Sequence, residues 1–294
     1  MIEYIMVIIM FIEPMLLQAS KNPFNDTNYI TELKADGIRL QYSSVNGVKL
    51  YSRHQTDITS KFPEITTLPL PKNIVLDGEL ILTDEKGRPC FESIMSRFQV
   101  SSSEKIQYLS KTNPVHFLVF DVLYYNGDVT PLNLLKRKEI LNSLIPIDEP
   151  TISQVYFVEG KAVEYFNLCK EKGLEGIVQK RTDSIYEVSK RSWAWQKVIA
   201  YSFKDCYISG YRKKKFGWLL SEKDSNGNMK SIGIMEFVPP TERKAFYKIA
   251  NQLKIGDDKE FVYLDPLIRC RVKYRNLTSY GKLRIPSFEE FILN

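Results

Sequence analysis

Apolar and polar positions recur with two different periods along the first two-thirds of the chain, and together they predict strands interleaved with helices. YITEL, IRLQYSSV and VKLYSR are β-rich, NIVLDGELIL is an apolar run around a turn, and HFLVFDVLYY reads as a buried strand. Leu132 to Leu144 reads as a helix that ends before Pro146. In KAVEYFNLCKEKG the residues Ala162, Tyr165, Phe166 and Cys169 fall at i, i+3, i+4 and i+7 before Gly173. This interleaving implies a mixed α/β domain over residues 1–201. The apolar run from Tyr4 to Ile12 is too short for a bilayer, which takes about 20 residues, and it carries no basic leader, so a buried strand is expected there. A start at Met10, leaving the run outside the domain, is the alternative.

After Tyr201 the texture changes to short strands separated by turns: DCYISGYR, FGWLLSE, SIGIMEF and LIRCRVKYR, with SNGNM as a turn. One helix, opened by Pro239-Pro240, places Phe246, Ile249, Ala250 and Leu253 on one face. About five strands and one helix in residues 202–294 suit a small barrel of the OB type. In the last of these strands Arg269, Arg271, Lys273 and Arg275 alternate with Ile268, Cys270, Val272 and Tyr274, so four cations share one face. A solvated strand face is one reading; because like charges in a row repel, contact with a phosphate backbone is the favoured one. The run Arg212 to Lys215 sits in a loop, where charge is cheap.

Composition sharpens this picture in three places. A chain of 294 residues that is 44% hydrophobic can bury one large or two modest cores. Four cysteines without a CxxC pair read as reduced thiols of a cytoplasmic protein rather than a zinc or redox site. Lys+Arg and Asp+Glu number 23 and 24 over residues 1–201 but 18 and 11 over 202–294, so the positive excess lies in the C-terminal third and suggests a polyanionic partner. No GxGxxG follows a strand, which leaves a Rossmann domain unsupported.

The stretch TELKADGIR, Thr31 to Arg39, has two readings. In one, Asp-Gly is a tight turn that happens to follow a surface lysine. In the other, Lys34 is a covalent nucleophile. The rest of the chain bears on the choice: YSR at 51–53, VLDGEL at 75–80, FLVFDVLYYNG at 117–127, EGIVQK at 175–180 and WQK at 195–197 follow in order. Each alone has a structural explanation. As an ordered set, with PML at 14–16 as lead-in, they resemble the motif series of covalent nucleotidyltransferases, and most closely that of ATP-dependent DNA ligases. The likeness extends over nearly the whole chain.

The resemblance implies an α+β fold: a nucleotidyltransferase (adenylation, ATP-grasp-like) domain of antiparallel sheets with helices over 1–201, then a small OB-fold β-barrel over 202–294. It implies Lys34, Asp36, Arg39 and Arg53 as catalytic residues, with Lys34 becoming AMP-linked and Asp36 assisting at the nick. ATP contacts are implied for Glu32, Lys34, Arg39, Arg53, Glu79, Phe120, Lys180 and Lys197, with Phe120 stacking on adenine and Gly37 permitting close backbone approach. Cations such as Arg53 and Lys197, with partial desolvation, would favour the neutral amine that Lys34 needs for attack. Glu79 and Glu175 are the carboxylates for Mg²⁺, with Mn²⁺ as the alternative. The implied partners are nicked double-stranded DNA, met by Arg269, Arg271, Lys273 and Arg275, and a break-binding or repair protein. A cytoplasmic monomer without membrane attachment is expected. Two departures stand out: Ile199 occupies the second position of the usual KxK motif, and LRIPSFEEFILN contains no RxDK-like closing motif, leaving Arg284 as the candidate substitute. The rival readings are an mRNA-capping-type guanylyltransferase and a non-catalytic DNA-binding relative.

Overall fold

The computed structural model describes residues 11–292, so the strand expected at Tyr4 to Ile12 lies almost wholly outside the described residues. Internal contacts divide the chain into two units, the first ending at Ile199 and the second beginning at Ala200. In the first unit the described strands are β1 (Leu16–Ala19), β2 (Tyr29–Leu33), β3 (Ile38–Ser43), β4 (Lys49–Ser52), β5 (Ile74–Ile81), β6 (His116–Tyr125), β7 (Ile152–Gln154), β8 (Phe157–Glu159), β9 (Gly176–Arg181) and β10 (Arg191–Ile199). Its helices are α1 (Pro63–Thr66), α2 (Phe91–Gln99), α3 (Ser103–Thr112), α4 (Leu134–Leu144) and α5 (Ala162–Glu171).

The strands form two sheets, one in the order β1-β10-β9-β2-β8 and one in the order β4-β3-β5-β6-β7. Pairing is antiparallel as expected except at two edges, where β1 joins β10 and β7 joins β6 in parallel. Leu40, Leu76, Phe117 and Val119 pack with Phe62 and Ile94 into the larger core, while Met15, Ile30, Leu123 and Trp195 form a second cluster.

Two sequence expectations change here. NIVLDGELIL does not turn at Asp-Gly: β5 runs unbroken through Asp77 and Gly78. The buried Asp77 carboxylate is tolerated because Arg39 meets it, and Gly78 has space for nothing larger, since a Cβ there would lie 2.5 Å from the Phe117 ring. TELKADGIR is likewise no hairpin, because β2 and β3 belong to different sheets. Lys34 to Gly37 is the crossing between them. Gly37 is required by the protein's own backbone: a Cβ at this position would lie 2.2 Å from the Leu80 carbonyl oxygen.

The second unit contains β11 (Ser202–Arg212), β12 (Trp218–Lys223), β13 (Met229–Met235), α6 (Pro240–Ala250), β14 (Lys254–Asp257), β15 (Phe261–Leu264), β16 (Arg269–Tyr274) and β17 (Ser287–Ile292). Seven strands thus replace the five expected, because β14, β15 and β17 are too short or too polar for alternation to reveal them. The long β11 pairs with β12 along one edge and with β16 and then β15 along the other, with a register shift between Ile208 and Gly210. A bridge between Phe237 and Ser287 joins the end of the β13 side to β17. This curled sheet is consistent with an OB-fold. Trp218 and Phe246 of α6, with ring centroids 4.2 Å apart, fill its interior. Ile249, expected on the buried face of α6, is exposed, while Phe246 and Ala250 are buried.

Candidate active site

The register of three strands assembles the site. β2 runs antiparallel to β9 with Leu33 opposite Ile177, so the residue just after β2 lies beside the residue just before β9. Those residues are Lys34 and Glu175. The Lys34 backbone N–H donates to the Gly176 carbonyl at 3.0 Å, and Nζ donates to Glu175 Oε2 at 2.7 Å. The carboxylate is buried and the lysine remains partly exposed.

Across the crossing, Arg39 on β3 sends its fork to Asp77, with Nε to Oδ1 at 3.0 Å and Nη2 to Oδ2 at 2.6 Å. Its Nη1 donates to the Met15 carbonyl at 2.8 Å, which explains why the PML lead-in belongs to the site. Tyr186 donates its hydroxyl to Asp77 Oδ2 at 2.6 Å. Despite desolvation, Asp77 holds the Arg39 guanidinium above its already high range, whereas burial followed by the Asp77 charge pushes the Tyr186 hydroxyl well up. Asp77 and Tyr186 escape the sequence reading. An acid inside an apolar strand was the available signal for Asp77; none marked Tyr186.

The apolar wall is built from Phe120 on β6 and Trp195 on β10, 6.3 Å apart and edge to face. Lys180 lies opposite Trp195 in the β9–β10 ladder, and its Nζ stands 4.6 Å from the Phe120 ring and 4.0 Å from Trp195. Glu32 ion-pairs with Lys180 at 2.7 Å and also with Lys138. Burial lowers the Lys180 ammonium to about 8 even with Glu32 beside it. Burial raises the Glu79 carboxyl to about 8, with Lys34 and Arg39 opposing and Glu175 adding to the shift. Glu32, Lys34, Arg39, Glu79, Phe120, Lys180 and Trp195 line one cleft.

The cleft thus combines a partly exposed lysine on a carboxylate, an aromatic wall and cations that are each paired with an acid. The family model for the ATP dependent DNA ligase domain matches residues 14–198. The chain belongs to this family. The matched ligase domain therefore lies within the unit that holds the cleft and includes every residue that lines it. The SPbeta prophage-derived DNA ligase-like protein LigB of Bacillus subtilis (strain 168) is 46% identical over 284 residues, covering 96% of this chain and 99% of that protein. The bifunctional non-homologous end joining protein LigD of the same strain is 32% identical, covering 88% of this chain but 46% of that protein, so this chain spans about half of LigD. A solved structure described as a Lig E DNA ligase, 20% identical with a TM-score of 0.67, covers 95% of this chain and shares its fold.

Not every residue expected in the ligase site lies in the cleft. Arg53 is exposed where β4, an edge strand, turns outward, and it lines a separate cleft with Glu13, Pro14 and His54. The spacing after the lysine motif could not show that Arg53 falls in the turn where the chain folds back along β4. Asp36 is buried within the crossing. Lys197 lies opposite Val178, which is itself opposite Glu32, so the three share a face, and Ile199 lies opposite Gly176 at the level of Lys34. In the second unit the row of four cations is not a bare positive face. Arg271 pairs with Asp205 at 2.8 Å and Glu290 at 3.5 Å, and Lys273 pairs with Glu289 at 2.9 Å. The carboxylates come from β11 and β17, which alternation within β16 cannot reveal. Arg269 stands over the Tyr207 ring at 5.8 Å, and the Arg275 N–H donates to the Arg284 carbonyl at 3.1 Å.

Proposed function

We propose that this ligase seals nicks in duplex DNA through a lysyl-AMP intermediate formed on Lys34. The observation that carries the reading is the convergence, in one cleft, of Lys34 held by Glu175, Arg39 locked on Asp77, and the Phe120–Trp195 wall. Lys34 Nζ forms a P–N bond to the α-phosphorus of ATP as the bond to pyrophosphate breaks. AMP then passes to the 5′-phosphate of the nick, and the 3′-hydroxyl displaces it. Glu175 orients the Lys34 amine, Arg39 stabilises charge on the phosphate oxygens, and Phe120 stacks on adenine, with Lys180 and Glu32 at its edge. Lys197 reaches the phosphates from β10, Arg53 meets the DNA beyond the cleft, and Asp36 assists at the nick.

The donor set fits a hard divalent cation. Glu79 and Glu175 interact with each other and with Lys34, and a cation would favour the ionised form of the desolvated Glu79. Among the described residues no group of three or more His, Cys, Asp or Glu is gathered. Mg²⁺, or Mn²⁺ in its place, is suited to such a site because phosphate oxygens and water complete its shell. When bound it would supply charge neutralisation for the transferring phosphate.

The second unit meets the DNA backbone through Arg269, Arg271, Lys273 and Arg275, and binding weakens as salt rises. No described helix is long and apolar enough to cross a membrane. We read the protein as a cytoplasmic monomer, a reading supported by its proposed substrates, ATP and DNA, for the location alone. A break-binding protein is the proposed partner, a role motivated by the end-joining relative.

The test is incubation with α-labelled ATP or GTP and Mg²⁺. Label from ATP that disappears in Lys34→Ala supports the reading. Label from GTP alone would make the enzyme of capping type, and no label together with failure to seal a pre-adenylated nick would leave only binding.

A further inference from the structure

We propose that Lys138 is the positioning residue for the nucleobase end of the cleft, an inference that rests on the nucleotide-binding function proposed above. The sequence places LLKRKEIL within the helix expected over Leu132 to Leu144. In the structure Arg137 and Lys138 of α4 are both buried, alongside Leu134, Leu141 and Leu144. The helix is fixed at its start by Asn133, whose side chain accepts from the Lys136 N–H at 2.9 Å.

These two cations grip consecutive residues of β6. Arg137 donates to both oxygens of the buried Asp121, at 2.8 and 3.0 Å. Lys138 Nζ donates to the backbone carbonyl of Phe120 at 2.8 Å and ion-pairs with Glu32. Phe120 and Glu32 line the cleft, and Lys138 stands behind them. One ammonium therefore fixes the peptide that orients the aromatic wall and one oxygen of the carboxylate at the edge of that wall. Lys180 holds the other oxygen at 2.7 Å.

Removing the Lys138 ammonium strips a buried carbonyl and a buried carboxylate of a charged donor at once. Glu32 is then drawn toward Lys180 alone, and the Phe120 ring loses its fixed pose. The loss falls on ground-state binding of the base, because Lys138 touches no reacting atom.

The test has two readouts. Calorimetric ATP titration of Lys34→Ala, with and without Lys138→Met, measures binding apart from chemistry. Lysyl-AMP formation against ATP concentration is then compared for wild type, Lys138→Met, Lys138→Arg, Phe120→Ala and the Lys138→Met/Phe120→Ala pair, each checked by thermal unfolding. We expect Lys138→Met to weaken ATP binding and raise KM by about tenfold, with kcat within about threefold. Lys138→Arg restores most of the loss, and Lys138→Met adds little once Phe120 is gone. An unchanged Kd and KM with less label per protein overturns the proposal, as does full additivity with Phe120→Ala. Either result leaves the ligase reading standing. Wild type that neither binds nor is labelled by ATP removes the ligase reading and this inference with it.

Discussion

Arg39 lies directly across the β3–β5 ladder from Glu79, yet its guanidinium pairs with Asp77, two residues away on the same face. Asp77 is thus neutralised in place, while Glu79 keeps a desolvated carboxyl pushed up to about 8. The two acids of one DGE motif thereby differ in state, one ion-paired and one whose charged form burial disfavours.

The raised Glu79 carboxyl has a pH signature. Its folded value lies above the ordinary value of 4.5, so between about 4.5 and about 8 the folded state holds a proton that the unfolded state has lost. Stability of the metal-free protein should fall as pH rises through this window, and Glu79→Gln should flatten the slope. Thermal unfolding of both proteins from pH 5 to 8.5 checks this; parallel curves would sink the assignment.

Asp77→Asn should be among the most destabilising single changes in the first unit. It leaves the largely buried Arg39 guanidinium without its compensating charge, at a cost of about 3–5 kcal/mol. Denaturant midpoints report it, and a loss below about 1 kcal/mol would contradict the structural role of the pair.

Gly37→Ala is expected to slow lysyl-AMP formation about a hundredfold. The added Cβ would meet the Leu80 carbonyl oxygen at 2.2 Å, so the crossing must move and carry Lys34 with it. Single-turnover labelling of folded protein measures the effect; an unchanged rate would mean that the crossing can relax without displacing the lysine.

The carboxylates around Arg271 and Lys273 should act as brakes on DNA binding. Glu289 and Glu290 offset part of the charge of both cations, so Glu289→Gln with Glu290→Gln, which leaves the Arg271–Asp205 pair in place, should tighten binding to nicked duplex a few-fold and steepen its salt dependence. Anisotropy titrations at two salt concentrations decide it. Weaker binding in the double variant would show that the glutamates support the interface.

Much of the site was legible in the chain because its chemistry is written in short, ordered stretches. Lys34, Glu79, Phe120, Glu175 and Lys180 lie in stretches that resemble a ligase motif series only when taken together in order, and alternation located most of the strands that carry them. The sequence could not say where separate stretches meet. Register decided that Lys34 lies by Glu175 and that β11 and β17 set acids against the cations of β16, and side-chain packing decided that Arg39 turns from Glu79 to Asp77 and Tyr186. The packing of α4 against β6 decided that Lys138 is buried behind Phe120. The division follows from the range of the forces. Periodicity and motif chemistry act over a few residues along the chain, whereas the partner of a buried charge is chosen by strands that lie far apart in sequence and adjacent in space.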